Sequence, residues 1–204
     1  MSELALEPED SARADFYALL GRLFSSAPDA PLLAAIAEAS PLAPAADLED
    51  GMGIAPAWAA LCAASADADP VVVEEEFQAL FVGVGQSAVS LYASHYLGPQ
   101  SGRPLAEIRA TLGRLGLARQ PGSSEFEDHL AAELEAMRML VAGDDARPPA
   151  AIAEQRAFCE RYLLPWAFDC CTAIRHCPIA KYYLHVASFG SCFLALERDS
   201  FAIE

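Results

Sequence analysis

Basic residues are scarce in this sequence: 13 lysines and arginines stand against 29 acids in 204 residues, leaving a formal net charge of −16 at neutral pH. An excess of that size repels nucleic acid phosphates and anionic lipid, so no nucleic-acid partner is expected, and it draws basic partners instead. By itself it also serves solubility. Long apolar runs are missing too. No stretch reaches the roughly 18 uncharged apolar residues of a spanning helix, so no stable membrane insertion is expected. The first residues, Met1 to Glu7, carry Glu3 and Glu7 where a secretory signal would be basic and then apolar. A cytoplasmic location is the expectation. Cysteine is neither dense nor regularly spaced: Cys62, Cys159, Cys170, Cys171, Cys177 and Cys192 do not make a disulfide framework. They read as reduced, small hydrophobes.

Catalytic signatures are missing as well. Gly83-Val84-Gly85 lacks the third glycine, the lysine and the preceding strand of a phosphate loop. There is no serine-nucleophile elbow and no His-Glu-x-x-His pair. The expectation is a non-enzyme with no catalytic residue, metal site or cofactor. Cys170-Cys171 with His176-Cys177 is the one metal-like cluster. Zinc wants convergent thiolates and imidazoles, yet neighbours on a helix diverge by about 100°. Buried helical cysteines are the simpler reading, and a small helical metal-binding protein is the alternative of a different class.

What the sequence does have is helical periodicity. The apolar fraction of 54% is rich in alanine, a strong helix former of little volume. Phe16, Leu19, Leu20, Leu23 and Phe24 form one face of a helix over Asp10 to Ser26. Asp29 is placed to cap a second helix reaching Ala39. Prolines and glycines make 40–56 a loop, followed by a helix over Ala57 to Ala66. Pro70 opens a helix over Val71 to Phe81, ended by Gly83. Residues 86–102 read as irregular, and a helix follows from Pro104 to Leu115. Ser124 and Glu127 have capping-box spacing ahead of the stripe Phe126, Leu130, Leu134, Met137, Val141. The 143–149 linker is a hinge candidate. Two long helices, 150–176 and 179–197, finish the chain, with Pro165 kinking or dividing the first. Without repeats or βαβ alternation the class is all-α, one helical domain over residues 1–204.

Two segments concentrate functional side chains. Glu125, Glu127, Asp128 and Glu133 set carboxylates around His129 at a helix start, an arrangement that favours the imidazolium form. Counted from Phe126, Asp128 points to solvent or a groove and His129 flanks the apolar stripe. The second segment, Phe77, Leu80 and Phe81 followed by Gly83 and Tyr92, has the makings of an apolar groove, although residue by residue such a stripe reads as core.

In this order, these features resemble the TorD/DmsD/NarJ family of molybdoenzyme maturation chaperones. Glu76-Phe77-Gln78-Ala79-Leu80-Phe81-Val82-Gly83, with Ser90 and Tyr92 after it, is similar to the family's aromatic-x-x-Leu-Phe-x-Gly segment. Glu125-Phe126-Glu127-Asp128-His129 resembles its Glu-Pro-x-Asp-His signature. Phe16-Tyr17-x-Leu19-Leu20 near the start, and Trp166, Tyr182 and Tyr183 near the end, match more loosely. Val84 and Phe126 stand where the family has proline. The resemblance implies a TorD-like helical bundle, monomeric or a dimer swapped through its hinge. It implies binding of the twin-arginine signal peptide of a molybdopterin oxidoreductase precursor, held in the cytoplasm until cofactor insertion. Asp128, His129, Glu125 and Glu127 would then belong to the peptide site, with Phe77, Phe81, Gly83 and Tyr92 as its neighbouring wall. A NarJ-like assembly factor for a non-exported molybdoenzyme is the alternative within the family.

Overall fold

Alanine-rich amphipathic stretches separated by proline and glycine give helices and, among the described residues, no strand. The computed structural model describes residues 6–43, 53–83, 87–98, 104–117, 127–145 and 147–203. The helices are α1 (Pro8–Ser25), α2 (Ala30–Ala37), α3 (Ile54–Ala66), α4 (Pro70–Phe77), α5 (Ala93–Leu97), α6 (Pro104–Arg114), α7 (Leu130–Ala142), α8 (Ile152–Phe158), α9 (Leu164–His176) and α10 (Tyr182–Ile203). None of those described is long and apolar enough to cross a membrane. The all-α expectation holds.

Local chemistry sets the helix ends. Asp29 caps α2 as expected, its Oδ1 accepting from Leu32 N–H at 3.0 Å. Asp69 does the same for α4 through Val71 N–H at 2.9 Å. Two π turns interrupt the expected long helices. The first, Gln78–Val82, ends where Gly83 N–H reaches back to Gln78 O at 2.8 Å. The second, Cys159–Leu163, precedes Pro165, whose ring and missing N–H oppose a normal helical bond to the turn before. Pro165 therefore divides the expected 150–176 helix into α8 and α9. The expected irregular stretch 86–102 contains the short α5.

The chain makes two compact units, each from two stretches: Met1–Phe24 with Tyr92–Trp166, and Ser25–Leu91 with Ala167–Glu204. In the first unit α7 packs on α8 and the second π turn, and α5 on α6. The stripe Leu130, Leu134, Met137 and Val141 is buried, as its spacing predicts. Each such side chain contributes about 2 kcal/mol by leaving water. Gly21 of α1 lies over α7, where an added Cβ would stand 3.6 Å from Ala131 O. Tyr17 OH meets Cys159 Sγ at 3.9 Å, and Arg13 donates to Gln155 Oε1 at 3.2 Å.

The expected hinge at 143–149 is a braced turn in this unit. Asp144 N–H donates to Arg147 O at 2.8 Å and Arg147 N–H to Asp144 O at 3.1 Å. The Arg147 guanidinium spans to Leu115 O at 3.1 Å and to Asp144 Oδ2 at 2.5 Å.

In the second unit α3 packs between α2 and α10, and α4 also rests on α10. Trp58 meets Phe189 at 5.0 Å between ring centroids, and Ser65 Oγ lies 3.1 Å from the Tyr182 hydroxyl. The start of α10 is held from α4. The Glu76 carboxylate accepts from the backbone N–H groups of Lys181, Tyr182 and Tyr183 at 2.9, 3.0 and 2.9 Å.

Candidate functional site

The best-defined polar site lies in the first unit, around the start of α7. The helix begins at Leu130, not at Ser124, and its cap is His129. Ser124, Glu125 and Phe126 lie outside the described residues. Glu127 and Asp128 form a turn ahead of the helix, so positions counted from Phe126 along a helix do not apply. Nδ1 of His129 accepts from Ala131 N–H at 3.2 Å, which leaves the ring proton on Nε2. His129 also forms a single antiparallel bridge with Tyr92, and the two rings meet edge-on at 4.8 Å. Ala93 N–H donates to Asp128 O at 2.9 Å, and Ser94 N–H to Asp128 Oδ2 at 3.4 Å. Tyr92, Asp128 and His129 are thus brought together.

Burial changes their chemistry. Glu127, Asp128 and His129 are 8%, 4% and 5% exposed, so neither Asp128 nor His129 stands off the core. Loss of hydration lowers His129 to about 4, against the smaller upward pull of Asp128. At neutral pH the ring is neutral, correcting the imidazolium expectation: desolvation outweighs the nearby charge. Glu127 already has a cation, because Arg109 grips it with a fork of two bonds, at 2.8 and 2.9 Å.

Sequence reasoning placed Glu133 among the acids around His129 but did not find its burial or its partner. Glu133, 1% exposed, accepts from Trp166 Nε1–H at 2.9 Å, and Tyr96 stacks on that indole at 5.6 Å. Desolvation holds the Glu133 carboxyl well above its ordinary range, the Trp166 bond only partly opposing it. Glu133 and Asp128 both line a cavity of about 140 Å³, together with Leu97, Ile108, Tyr162 and Pro165. Glu107 and Arg161, ion-paired at 2.6 Å, also line it, as does Ala93. Glu133 was visible as an acid beside His129. Its bond to an indole 33 positions away left no trace in local pattern.

The expected wall residues Phe77, Phe81 and Gly83 belong to the second unit. Phe77 is buried and Phe81 half-buried. The two rings meet at 5.3 Å and lie 5.7 and 5.0 Å from Tyr183, an aromatic cluster on α10. Gly83 has φ 52°, the left-handed region that suits glycine. Cys170 and Cys171 are buried, Cys170 Sγ facing Ser90 O at 3.6 Å, and burial pushes the Cys171 thiol up. His176 Nδ1 is engaged 2.8 Å from Thr172 O. Among the described residues no three His, Cys, Asp or Glu side chains are placed to hold one metal ion.

No curated protein matches the chain. A family model does: that of the nitrate reductase delta subunit, over residues 47–172. The match covers more than half of the sequence and takes in both the Phe77 to Gly83 segment and the Asp128-His129 pair. With an all-α fold and these two segments in place, the chain belongs to the nitrate reductase delta subunit family, the NarJ/TorD-type chaperones of molybdoenzyme maturation.

Proposed function

We propose that this protein is a non-catalytic cytoplasmic chaperone that binds the twin-arginine signal peptide of a molybdopterin oxidoreductase precursor and holds the precursor until its cofactor is inserted. The observation that carries this reading is the Asp128-His129 pair at the start of α7, where His129 is bridged to Tyr92 and Asp128 lines an acid-rich cavity. A twin-arginine peptide offers two guanidiniums and then an apolar stretch. Carboxylates take guanidiniums in forked bonds, and an aromatic surface such as that of Tyr92 suits the apolar part. Glu125 and Glu127 add to the acidic field; with Arg109 on its carboxylate, Glu127 orders the turn more than it faces a ligand.

The family match favours a second reading, a NarJ-like assembly factor for a nitrate-reductase-type enzyme that is not exported. Co-expression with a candidate precursor separates the two. Signal-peptide recognition predicts that deleting the client's N-terminal peptide abolishes co-purification. Undiminished capture of the truncated client favours assembly through its folded body.

A further inference from the structure

Lysine occurs once in this acidic chain. Lys181 is the only one among 204 residues, and it stands exposed just ahead of α10. Arg109, Arg138 and Arg161 each hold a carboxylate, whereas among the described residues the Lys181 ammonium holds none. Glu76 reaches the Lys181 backbone N–H, but that carboxylate is shared among three amides at the start of α10.

Lys181 lies on the wall of a groove of about 370 Å³ in the second unit. Ala64 and Ala68 near the end of α3, Val72 on α4 and Tyr182 on α10 make its apolar part. Val72 is 58% exposed there, and Val71 beside it 64%. Two neighbouring valines so exposed leave apolar surface in water that a partner's contact would bury. Asp67 lines the same groove from the turn between α3 and α4. It caps α3 through its backbone N–H alone, so its carboxylate, like the lysine, is unpaired among the described residues. Asp69 differs, since its Oδ1 is taken by Val71 N–H. One groove thus carries an unpaired charge of each sign, on separate walls and not joined to each other.

We propose that this groove is the interface of a two-fold dimer, its occupant a second copy of this chain. A two-fold axis through the groove exchanges the two charges: each Lys181 meets Asp67 of the other copy, and each Val71-Val72 pair covers the other copy's groove. Such a surface is complementary to itself, as an isologous contact must be. The valines carry the affinity, and the exposed charges chiefly fix orientation. The net charge of −16 opposes self-association at long range. At physiological salt, screening over about 8 Å confines charge effects to the facing pairs, so the dimer forms there and dissociates at low salt. The contact needs no exchange of elements across the 143–149 turn, and it does not depend on the signal-peptide reading.

Analytical ultracentrifugation of the full chain at physiological salt, from micromolar to millimolar, tests this with Lys181→Glu, Asp67→Lys and Val72→Asp. All three positions are exposed, and circular dichroism checks that each variant keeps its helices. The proposal expects a monomer–dimer equilibrium in the wild type, weakened about tenfold by either charge reversal and lost in Val72→Asp. Mixing Lys181→Glu with Asp67→Lys sets opposite charges at both contacts again, so the mixture should dimerise as the wild type does, within minutes and without unfolding. A wild type that is monomeric at every concentration overturns the proposal. So does a dimer whose strength ignores the three substitutions, or one that exchanges subunits only after unfolding, as a swap through 143–149 would.

Discussion

His129 and Glu133 carry opposite pH signatures from the same buried spot. His129 titrates at about 4 in the folded protein, below the ordinary histidine value near 6.5. Between those values the unfolded chain binds more protons. Stability therefore falls as the pH is lowered from about 6.5 to about 4, by roughly 3 kcal/mol, and levels off below. His129→Asn keeps a capping acceptor for Ala131 N–H and should flatten that acid limb in chemical denaturation across pH. Glu133 is raised instead, so the stability it contributes is present below the ordinary carboxyl range and is lost as the pH rises through its folded value. Glu133→Gln keeps an acceptor for Trp166 and should melt higher than wild type above neutral pH, the gap narrowing towards pH 4. A group retained against stability is what a binding role predicts. The Asp128-His129 pair was legible in sequence because two adjacent polar types opened an apolar stripe. Its burial was not, since that depends on Tyr92, Ala93 and Trp166 arriving from elsewhere in the chain.

Among the elements, most helices follow from stripe spacing and proline, while their ends depended on interactions that spacing does not encode. Glu76 shows the limit most clearly. It reads as one acid of three in a row, yet it caps α10 from 105 to 107 positions away. Removing the carboxylate leaves the amides of Lys181, Tyr182 and Tyr183 without that acceptor. Glu76→Ala should cost about 2 to 3 kcal/mol, with Glu76→Gln recovering part, as urea midpoints can measure. The turn after α7 offers a second test. Gly143 has φ 70°, and a Cβ there would stand 2.5 Å from Arg147 O and 2.8 Å from Pro148 C. Gly143→Ala should destabilise by at least about 2 kcal/mol, because backbone atoms cannot give way as side chains do. The same linker suggested a hinge by composition. The bonds between Asp144 and Arg147 that brace it come from folding, and any swap through it would have to reopen them. The π turns were unreadable for a related reason: Pro165 announces a break but not how the backbone absorbs it.

Across the whole molecule, the charge of −16 is the property read most directly, and under the proposed signal-peptide function its role is mainly kinetic. A diffuse acidic field speeds encounter with a basic peptide and fades with salt, whereas the buried carboxyls and aromatic surfaces set how long the complex lasts. The most direct measurement is titration of a twin-arginine signal peptide against the same peptide with both arginines replaced by glutamine, at low and at physiological salt. The account predicts saturable binding of the arginine peptide at both salt concentrations, with slower association at the higher one, and a large loss for the glutamine form. Equal affinity for the two peptides, or none for either, would contradict it.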